Sequence, residues 1–316
     1  MLQQTRVEAV KPYYFRFLSA LPDACSLAAV PDQVLLKLWE GLGYYSRARN
    51  LKRAAQALVA EYGGQLPRDY HALLQLPGIG EYTAGAIASI AYHIPVPAVD
   101  GNVLRVLARY RNDTRDIALP ATKRAAREDL AEITPIKRPG DFNQALMELG
   151  ALVCLPNGQP KCLVCPLADL CKAHQEGTVP QLPVKSKKAA RRIEALTVFA
   201  LWQDGQIALK QRPQKGLLAG LWELPNLPGH LDMTQAMAQI AQWGAQPVGE
   251  ISQHSARHVF THVEWDMRVY SLPVTLPRLP LGWEWGVPNH GPQALPTAFR
   301  VCLEGQLSNL GMREPL

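Results

Sequence analysis

The chain has 316 residues, of which 47% are hydrophobic and 19% charged, with a formal net charge of +6. This composition predicts a globular protein of two ordinary domains, and the modest positive charge is compatible with a polyanionic partner without requiring one. No apolar run approaches the roughly 20 residues of a membrane span, and no secretory signal precedes the first helix, so we expect a cytoplasmic protein with no membrane association.

Residues 1–175 show a helical pattern. Amphipathic stretches such as PDQVLLKLWEGLGYY and NLKRAAQALVAEY alternate with short Gly and Pro breaks, and no alternating run typical of a strand is present. The helical spacing of Leu2, Val7 and Val10 predicts that a helix is already under way at the first residue. The first domain is therefore predicted to be all-α.

LPGIGEYTAGA, at residues 76–86, combines a glycine turn with the start of a helix. Gly78 and Gly80 permit a tight turn and expose backbone N–H groups at a helix N-terminus, where they can bind a phosphate. An ordinary helix–turn–helix corner is the alternative. Twenty residues after Gly80, Asp100 precedes another helix and is a preferred N-cap residue.

Together, the loop and Asp100 resemble the helix-hairpin-helix glycosylase superfamily. Its members use an aspartate at this place to stabilise positive charge on the sugar, and a carboxylate can do so while capping its helix. Members that also nick the strand, such as endonuclease III, carry a lysine where this chain has Tyr82. A tyrosine cannot form the Schiff base, so the resemblance implies base removal without lyase chemistry.

Four of the six cysteines follow one another closely in the sequence: Cys154, Cys162, Cys165 and Cys171. Without a secretory signal, such a group favours metal binding over disulfides. The arrangement resembles the [4Fe-4S] loop of the endonuclease III and adenine glycosylase families, although those usually have six residues in the first gap and this chain has seven. A structural zinc site is the alternative, more often built from two C-x2-C pairs.

The pattern changes after residues 176–193, where Pro, Gly and a group of Lys and Arg predict an exposed basic linker. EALTVFALWQDGQIALKQRP predicts a β-hairpin around Asp204-Gly205, while HSARHVFTHVEWDMRVYSLPV and the Trp283 region predict further strands. One helix is expected at about 233–243. Residues 194–316 are therefore predicted to form an α+β domain.

The start of this domain, TVFALWQDGQIALKQRPQKGLLAGLWELPNL, resembles the first strands of a NUDIX fold. A NUDIX hydrolase needs an acidic R-E-x-x-E-E helix to hold Mg²⁺, but LDMTQAMAQIAQWG has no acidic cluster, which disfavours hydrolysis. Phe260, Thr261 and His262 match the F-S-H loop with which adenine glycosylases contact 8-oxoguanine, with Thr in place of Ser. A strand with alternating burial is the alternative.

Five ordered motifs cover essentially all of residues 1–175 and resemble the MutY-type adenine DNA glycosylases: GLGYYSRARN, LPGIGEYTAGA, VDGNVLRVLAR, FNQALMELGA and the four cysteines. The resemblance implies a monomeric, monofunctional base-excision-repair enzyme with a [4Fe-4S] cluster and a NUDIX-like domain that recognises 8-oxoguanine. Its substrate would be double-stranded DNA in which adenine is mispaired with 8-oxoguanine or guanine.

The resemblance also implies roles for individual residues. Gln4 and Tyr44 match positions that wedge into the base stack, and Gln144 matches a pocket position that can hydrogen-bond adenine. Asp100 matches the carboxylate that stabilises the oxocarbenium-like sugar, and Tyr82 matches a residue beside the sugar. The alternatives without a recognition role are that Gln4 and Gln144 lie on solvated helix surfaces and that Tyr44 packs in the core.

In that family the stretch MLQQT is internal and follows a catalytic glutamate, in a pattern resembling E-V-M-L-Q-Q-T. We therefore expect the general acid to lie before residue 1 and the 316-residue chain alone to be severely impaired, since general acids contribute roughly 10²–10⁴-fold. A non-catalytic lesion-binding protein of the same fold remains the main alternative. An endonuclease III-like lyase and a NUDIX hydrolase with a helical accessory domain are less favoured.

Overall fold

In a computed structural model, the chain is described at residues 1–3, 5–186, 190–288 and 290–304. It folds into two compact units: the first contains residues 1–52 and the described part of 189–316, and the second contains residues 53–188. The division at residue 52 lies inside the predicted helical domain, whereas the second division lies inside the predicted linker. Within the described residues, no helix is long and apolar enough to span a bilayer.

The first unit begins with helices that bury one apolar face. These helices are α1 (Val7–Ala20), α2 (Ala24–Ala29), α3 (Asp32–Leu38) and α4 (Ser46–Glu61). Residue 52 lies within α4, so this helix continues into the second unit. Leu35, Leu36 and Trp39 are almost completely buried. The expectation of a helix from the first residue is wrong, because α1 begins at Val7. The carbonyl oxygens of Met1 and Gln3 accept hydrogen bonds from Arg47 instead of continuing a helix.

In the second unit, the regular elements of the described residues are all helical, as the sequence predicts. Its helices are α5 (Tyr70–Gln75), α6 (Glu81–Tyr92), α7 (Gly101–Arg111), α8 (Pro120–Ile133), α9 (Pro139–Glu148) and α10 (Lys172–Gln175). The fully buried Asn143 on α9 connects three segments: its Oδ1 accepts from Ala98 N at 2.9 Å, and its Nδ2 donates to Ser89 Oγ and Val96 O, both at 2.9 Å. These bonds fix the loop that leads into Asp100.

The chain continues from α9 through a π-helical turn at Leu149–Val153 into the cysteine segment. That segment contains 3-10 turns at Cys162–Val164 and Ala168–Leu170. The start of the predicted linker packs against this unit, since Val179 and Leu182 are buried. Two of the linker lysines, Lys187 and Lys188, lie outside the described residues.

The C-terminal part of the first unit is a mixed sheet, which confirms the predicted α+β class. Its strands are β1 (Arg192–Gln203), β2 (Gln206–Gln211), β3 (Trp222–Glu223), β4 (Asn226–Pro228), β5 (Gln246–Pro247), β6 (Ser252–Val259), β7 (Val263–Thr275) and β8 (Trp283–Gly286). The two long strands β1 and β7 pair in parallel, and every other pairing of these strands is antiparallel. At the predicted hairpin, Asp204 and Gly205 have φ of 51° and 75°, as such a turn requires.

Both faces of this sheet are covered. Alternate residues of β1 point to opposite sides: Val198 packs in a cluster with Phe299, while Phe199 packs in a cluster with Ile240. Phe299 lies on α12 (Thr297–Arg300), and Ile240 lies on α11 (Met233–Gln242), close to the predicted helix at 233–243. The sheet therefore has a core on each side.

Candidate functional site

The LPGIG turn joins α5 to α6. Gly78 has φ of 80°, and Ile79 N donates to Leu76 O at 3.1 Å, so the turn closes in a conformation that favours glycine. Gly80 is the N-cap of α6, which no side chain caps. A Cβ at Gly80 would meet no atom within 4 Å, and its φ of −94° is ordinary for any residue. The fold therefore does not require glycine there, and the N–H groups at the N-terminus of α6 have no side-chain cap, as binding of a phosphate there requires.

Asp100 caps the N-terminus of α7. Its Oδ1 accepts from Val103 N at 2.8 Å, and its Oδ2 accepts from Asn102 Nδ2 at 2.8 Å. The residue is partly exposed, and the carboxylate retains further lone-pair sites beyond these two bonds. The helix-cap role and the predicted role in charge stabilisation are therefore compatible.

Tyr82, on α6, is electrostatically coupled to Asp100. Burial raises the pKa of Tyr82 above its ordinary value, and the negative charge of Asp100 raises it further. The phenol therefore remains protonated at neutral pH, and it donates to Met147 Sδ at 3.3 Å. Gln144, on α9, is exposed and donates to Gly140 O at 3.3 Å within its own helix. The charge of Asp100 therefore acts on Tyr82, whereas the hydrogen bond of Gln144 stays within α9.

A chain of hydrogen bonds that the sequence did not reveal connects Asp100 to the cysteine segment. Asn102, which donates to Asp100, accepts from Arg105 Nη2 at 2.8 Å, and Arg105 Nε donates to Cys154 O at 2.8 Å. Arg105 is only 6% exposed and also donates to Gly150 O at 2.7 Å. The sequence carries no signal for these contacts, because the partners Gly150 and Cys154 lie far from Arg105 in the chain.

The four predicted metal ligands line one cavity with Arg109, Lys161 and His174, and all four are free thiols. Arg109 Nη1 lies 3.3 Å from Cys154 Sγ, and Cys171 Sγ lies 3.4 Å from Arg109 O. Burial, followed by the charges of the other three cysteines, raises the pKa of the Cys162 thiol. A cation beside grouped sulfurs would offset the negative charge of bound thiolates.

The arrangement of these sulfurs bears on which metal they fit. In the described part of the chain, no three His, Cys, Asp or Glu side chains are grouped closely enough to hold one ion. A zinc site would place all four sulfurs about 2.3 Å from a single ion. A four-iron cluster instead distributes its four thiolates over separate irons, and the four cysteines around one cavity supply that number of donors.

In the first unit, the predicted wedge residue Tyr44 lies beside the predicted lesion-contacting turn. Tyr44 Oη and Thr261 Oγ1 are 3.4 Å apart. The side chain of Tyr44 is 49% exposed, whereas its neighbour Tyr45 is buried, so core packing describes Tyr45 and not Tyr44. Gln4, the other predicted wedge residue, lies outside the described residues.

Phe260, Thr261 and His262 form a turn between β6 and β7, not part of an alternating strand. Phe260 N donates to Val263 O at 2.8 Å and closes the turn. The Phe260 ring makes edge-to-face contacts with the rings of His258 and Trp265, at centroid distances of 4.6 and 4.8 Å. Thr261 and His262 are exposed, which leaves their side chains available to a ligand.

The predicted basic linker also supports this turn. Arg191 Nε donates to Phe260 O at 3.1 Å, and Arg192 N donates to His262 O at 3.2 Å. Each end of the turn is therefore held by the chain that enters β1.

The segment before Tyr44 is joined to the sheet by buried polar contacts. Trp222 Nε1 donates to Gln33 Oε1 at 3.1 Å. Glu40 accepts from Leu295 N at 2.7 Å and forms an ion pair with Arg300 at 2.7 Å. The helical motif that carries Tyr44 is thus part of the same compact unit as the Phe260–His262 turn.

Comparison with known proteins matches two parts of the sequence to two family models. Residues 1–135 match the family model of HhH-GPD superfamily base excision DNA repair proteins, and residues 197–305 match that of the NUDIX domain. The chain is 40% identical over 275 residues to the adenine DNA glycosylase of Buchnera aphidicola subsp. Baizongia pistaciae, covering 87% of this chain and 76% of that protein.

Mammalian adenine DNA glycosylases are also similar. The Rattus norvegicus protein is 38% identical over 322 residues, covering 86% of this chain, and the Homo sapiens protein is 36% identical over 348 residues, covering 90%. The chain spans 62% of the length of each. Among solved structures, a thermostable thymine-DNA glycosylase is 30% identical with a TM-score of 0.51, over 55% of this chain and 80% of that one.

Proposed function

Because the chain belongs to the adenine DNA glycosylase family of the HhH-GPD superfamily, we propose that its protein hydrolyses the N-glycosidic bond of adenine mispaired with 8-oxoguanine or guanine. The observation that carries the proposal is the Asp100 carboxylate, held at the N-terminus of α7 and coupled to the protonated phenol of Tyr82. Double-stranded DNA is the partner, and the N-terminus of α6 at Gly80, which no side chain caps, supports its binding through a backbone phosphate.

In the proposed reaction, the C1′–N9 bond of the flipped nucleotide breaks and positive charge develops on the sugar. The Val103 N–H and the Asn102 amide hold the Asp100 carboxylate in a fixed orientation, so it can stabilise this charge with little reorganisation. Water then adds at C1′. In the family pattern, a glutamic acid protonates the departing adenine.

The proposed enzyme removes the base and leaves the strand intact. Strand cleavage by relatives of the lyase type requires an amine nucleophile, and position 82 offers a phenol that burial and Asp100 keep protonated. Tyr82 therefore supports a monofunctional glycosylase, which removes the base without cleaving the strand.

Cys154, Cys162, Cys165 and Cys171 are proposed to hold a [4Fe-4S] cluster. Their free thiols around a shared cavity, with Arg109 beside them, fit its donor set. Bound there, the cluster would supply four thiolate–iron bonds that brace the loop, and no hydrolytic chemistry. Arg105 and Asn102 connect the backbone of Cys154 to Asp100, so an ordered loop would support the orientation of that carboxylate.

The NUDIX-like sheet is proposed to recognise the base opposite adenine. The exposed Thr261 and His262, on a turn that is hydrogen-bonded at both ends, provide polar groups for contact with 8-oxoguanine. Tyr44 lies within contact of Thr261 and supplies an exposed ring for insertion into the base stack.

Equilibrium binding to an uncleavable duplex tests this proposal without depending on the proton donor. The duplex carries 2′-fluoro-2′-deoxyadenosine opposite 8-oxoguanine, guanine or thymine, at one fixed salt concentration. We expect the tightest binding opposite 8-oxoguanine, weaker binding opposite guanine and the weakest opposite thymine. Equal affinity for all three duplexes would refute the assignment of lesion recognition to this chain.

A further inference from the structure

Arg47, near the start of α4, joins the two segments that carry the predicted wedge positions. Its Nη2 donates to Leu42 O at 3.1 Å and Gly43 O at 3.2 Å, directly before Tyr44. The same guanidinium donates to Gln3 O and to Thr5 Oγ1, on either side of position 4. One planar side chain therefore connects the loop before α4 to the segment before α1.

The guanidinium also lies over two aromatic rings. Arg47 Cζ is 5.4 Å from the centroid of Trp39 and 5.6 Å from that of Tyr44. Trp39 is 1% exposed and donates from Nε1 to Gly43 O at 3.1 Å, so it provides a rigid base for the loop. Arg47 thus lies between a fixed ring and the exposed ring of Tyr44.

Tyr44 needs such support because its backbone is strained. Its φ of 47° lies in the left-handed region, which is unfavourable for residues other than glycine and persists only where the surroundings enforce it. The hydrogen bonds from Arg47 to the two carbonyls immediately before Tyr44 hold the chain in this conformation. Without them, the loop would relax and carry the ring away from Thr261.

We propose that Arg47 is a positioning residue for lesion recognition, which fixes the ring of Tyr44 beside Thr261 so that the wedge and the lesion-contacting turn act as one surface. This inference rests on the proposed function. A lysine cannot take over the role, because an ammonium group lacks the planar fork that reaches several carbonyls while stacking on rings. Arg47 makes no contact with DNA in this account and acts through Tyr44.

Arg47→Lys tests the proposal, with Arg16→Lys as the matched control. Arg16 likewise stacks on a ring, that of Tyr13 at 4.8 Å, and donates to a carbonyl, Leu38 O, but it supports no predicted recognition residue. The affinity ratio between uncleavable duplexes carrying 8-oxoguanine and guanine is measured for each variant. We expect Arg47→Lys to lower this ratio about tenfold, equivalent to about 1.4 kcal/mol, and Arg16→Lys to change it less than twofold.

A stacking reporter separates positioning from simple loss of structure. 2-Aminopurine placed next to the 8-oxoguanine changes its fluorescence when a ring enters the stack. We expect the signal on binding to fall in Arg47→Lys and to be retained in Arg16→Lys. An unchanged affinity ratio and an unchanged signal in folded Arg47→Lys would overturn the proposal. Failure of the unaltered chain to distinguish the duplexes would instead refute the proposed function.

Tyr44→Phe keeps the test decisive if Arg47→Lys does not fold. It retains the ring over Arg47 and removes only the hydroxyl that faces Thr261 Oγ1. If the two side chains act as one surface, the affinity ratio falls at least threefold, and Thr261→Val causes little further loss in the double variant. If the two substitutions lower the affinity ratio independently, so that their effects add in the double variant, the proposal that Tyr44 and Thr261 act as one surface is contradicted.

Discussion

Asp100 has two roles in this account, and two substitutions separate them. Asp100→Ala removes the N-cap of α7 and leaves the Asn102 amide without its acceptor. Asp100→Asn keeps an amide oxygen that can cap the helix, since Asn is as good an N-cap as Asp. The charge is lost in both variants.

The expected stabilities follow from these contacts. Loss of the cap costs about 1 kcal/mol, and loss of the acceptor for Asn102 costs about 1 kcal/mol more, so Asp100→Ala is expected to lose about 2 kcal/mol. Apart from the favourable charge at the helix N-terminus, which both variants lose equally, Asp100→Asn loses one of the two hydrogen bonds, about 1 kcal/mol. Denaturant unfolding, followed by circular dichroism, measures the difference.

Activity should not follow this order. If the carboxylate stabilises the charged sugar, both variants lose adenine release by about 10²–10³-fold or more, whereas binding to the uncleavable duplex changes little. Single-turnover release and duplex binding are measured on the same preparations. If Asp100→Asn releases adenine at nearly the unaltered rate while Asp100→Ala is impaired, Asp100 is only a helix cap and the reasoning is refuted.

Three further predictions concern other parts of the molecule. Gly80→Ala should leave the melting temperature unchanged, because the added Cβ meets no atom. The same substitution should weaken duplex binding about threefold to tenfold, because the methyl group lies where a phosphate would bind. An unchanged affinity would exclude a phosphate at this turn. Anaerobically purified protein should contain iron and sulfide in equal amounts and little zinc, and Cys162→Ser should lose most of both; a zinc-loaded protein would overturn the cluster assignment. Burial lowers the pKa of His258, so a proton binds this side chain more tightly in the unfolded chain than in the folded one. Protonation therefore favours unfolding, and the first unit should lose stability as the pH falls below about 6.5. His258→Gln should reduce the pH dependence of the melting temperature. The same pH dependence in the variant and the unaltered protein would contradict this role of His258.

Local patterns predicted the secondary structure well where they were strong. The hairpin follows from the Asp204-Gly205 pair between apolar runs, and both residues have positive φ. The strands at 252–259 and 263–275 lie where HSARHVFTHVEWDMRVYSLPV predicts strands. The helix expected from residue 1 failed because tertiary contacts override periodicity: Arg47 takes the carbonyls that a helix would use.

Long-range polar contacts could not be read from the sequence. Nothing in VDGNVLRVLAR shows that Asn102 and Arg105 connect Asp100 to the backbone of Cys154, because the partner lies about fifty residues away in the chain. Likewise, the pairing of Gln33 with Trp222 depends on the folding of residues 1–52 with the sheet. Motif spacing located the candidate residues, and the structure revealed what holds them.

Single-turnover release of free adenine tests the central claim most directly. The substrates are duplexes with adenine opposite 8-oxoguanine, guanine or thymine, each incubated with a molar excess of the protein. We expect adenine to be the base released, release to be faster opposite 8-oxoguanine and guanine than opposite thymine, and strand breaks to appear only after alkali. Release of a different base, strand cleavage without alkali, or equal release opposite thymine would contradict it.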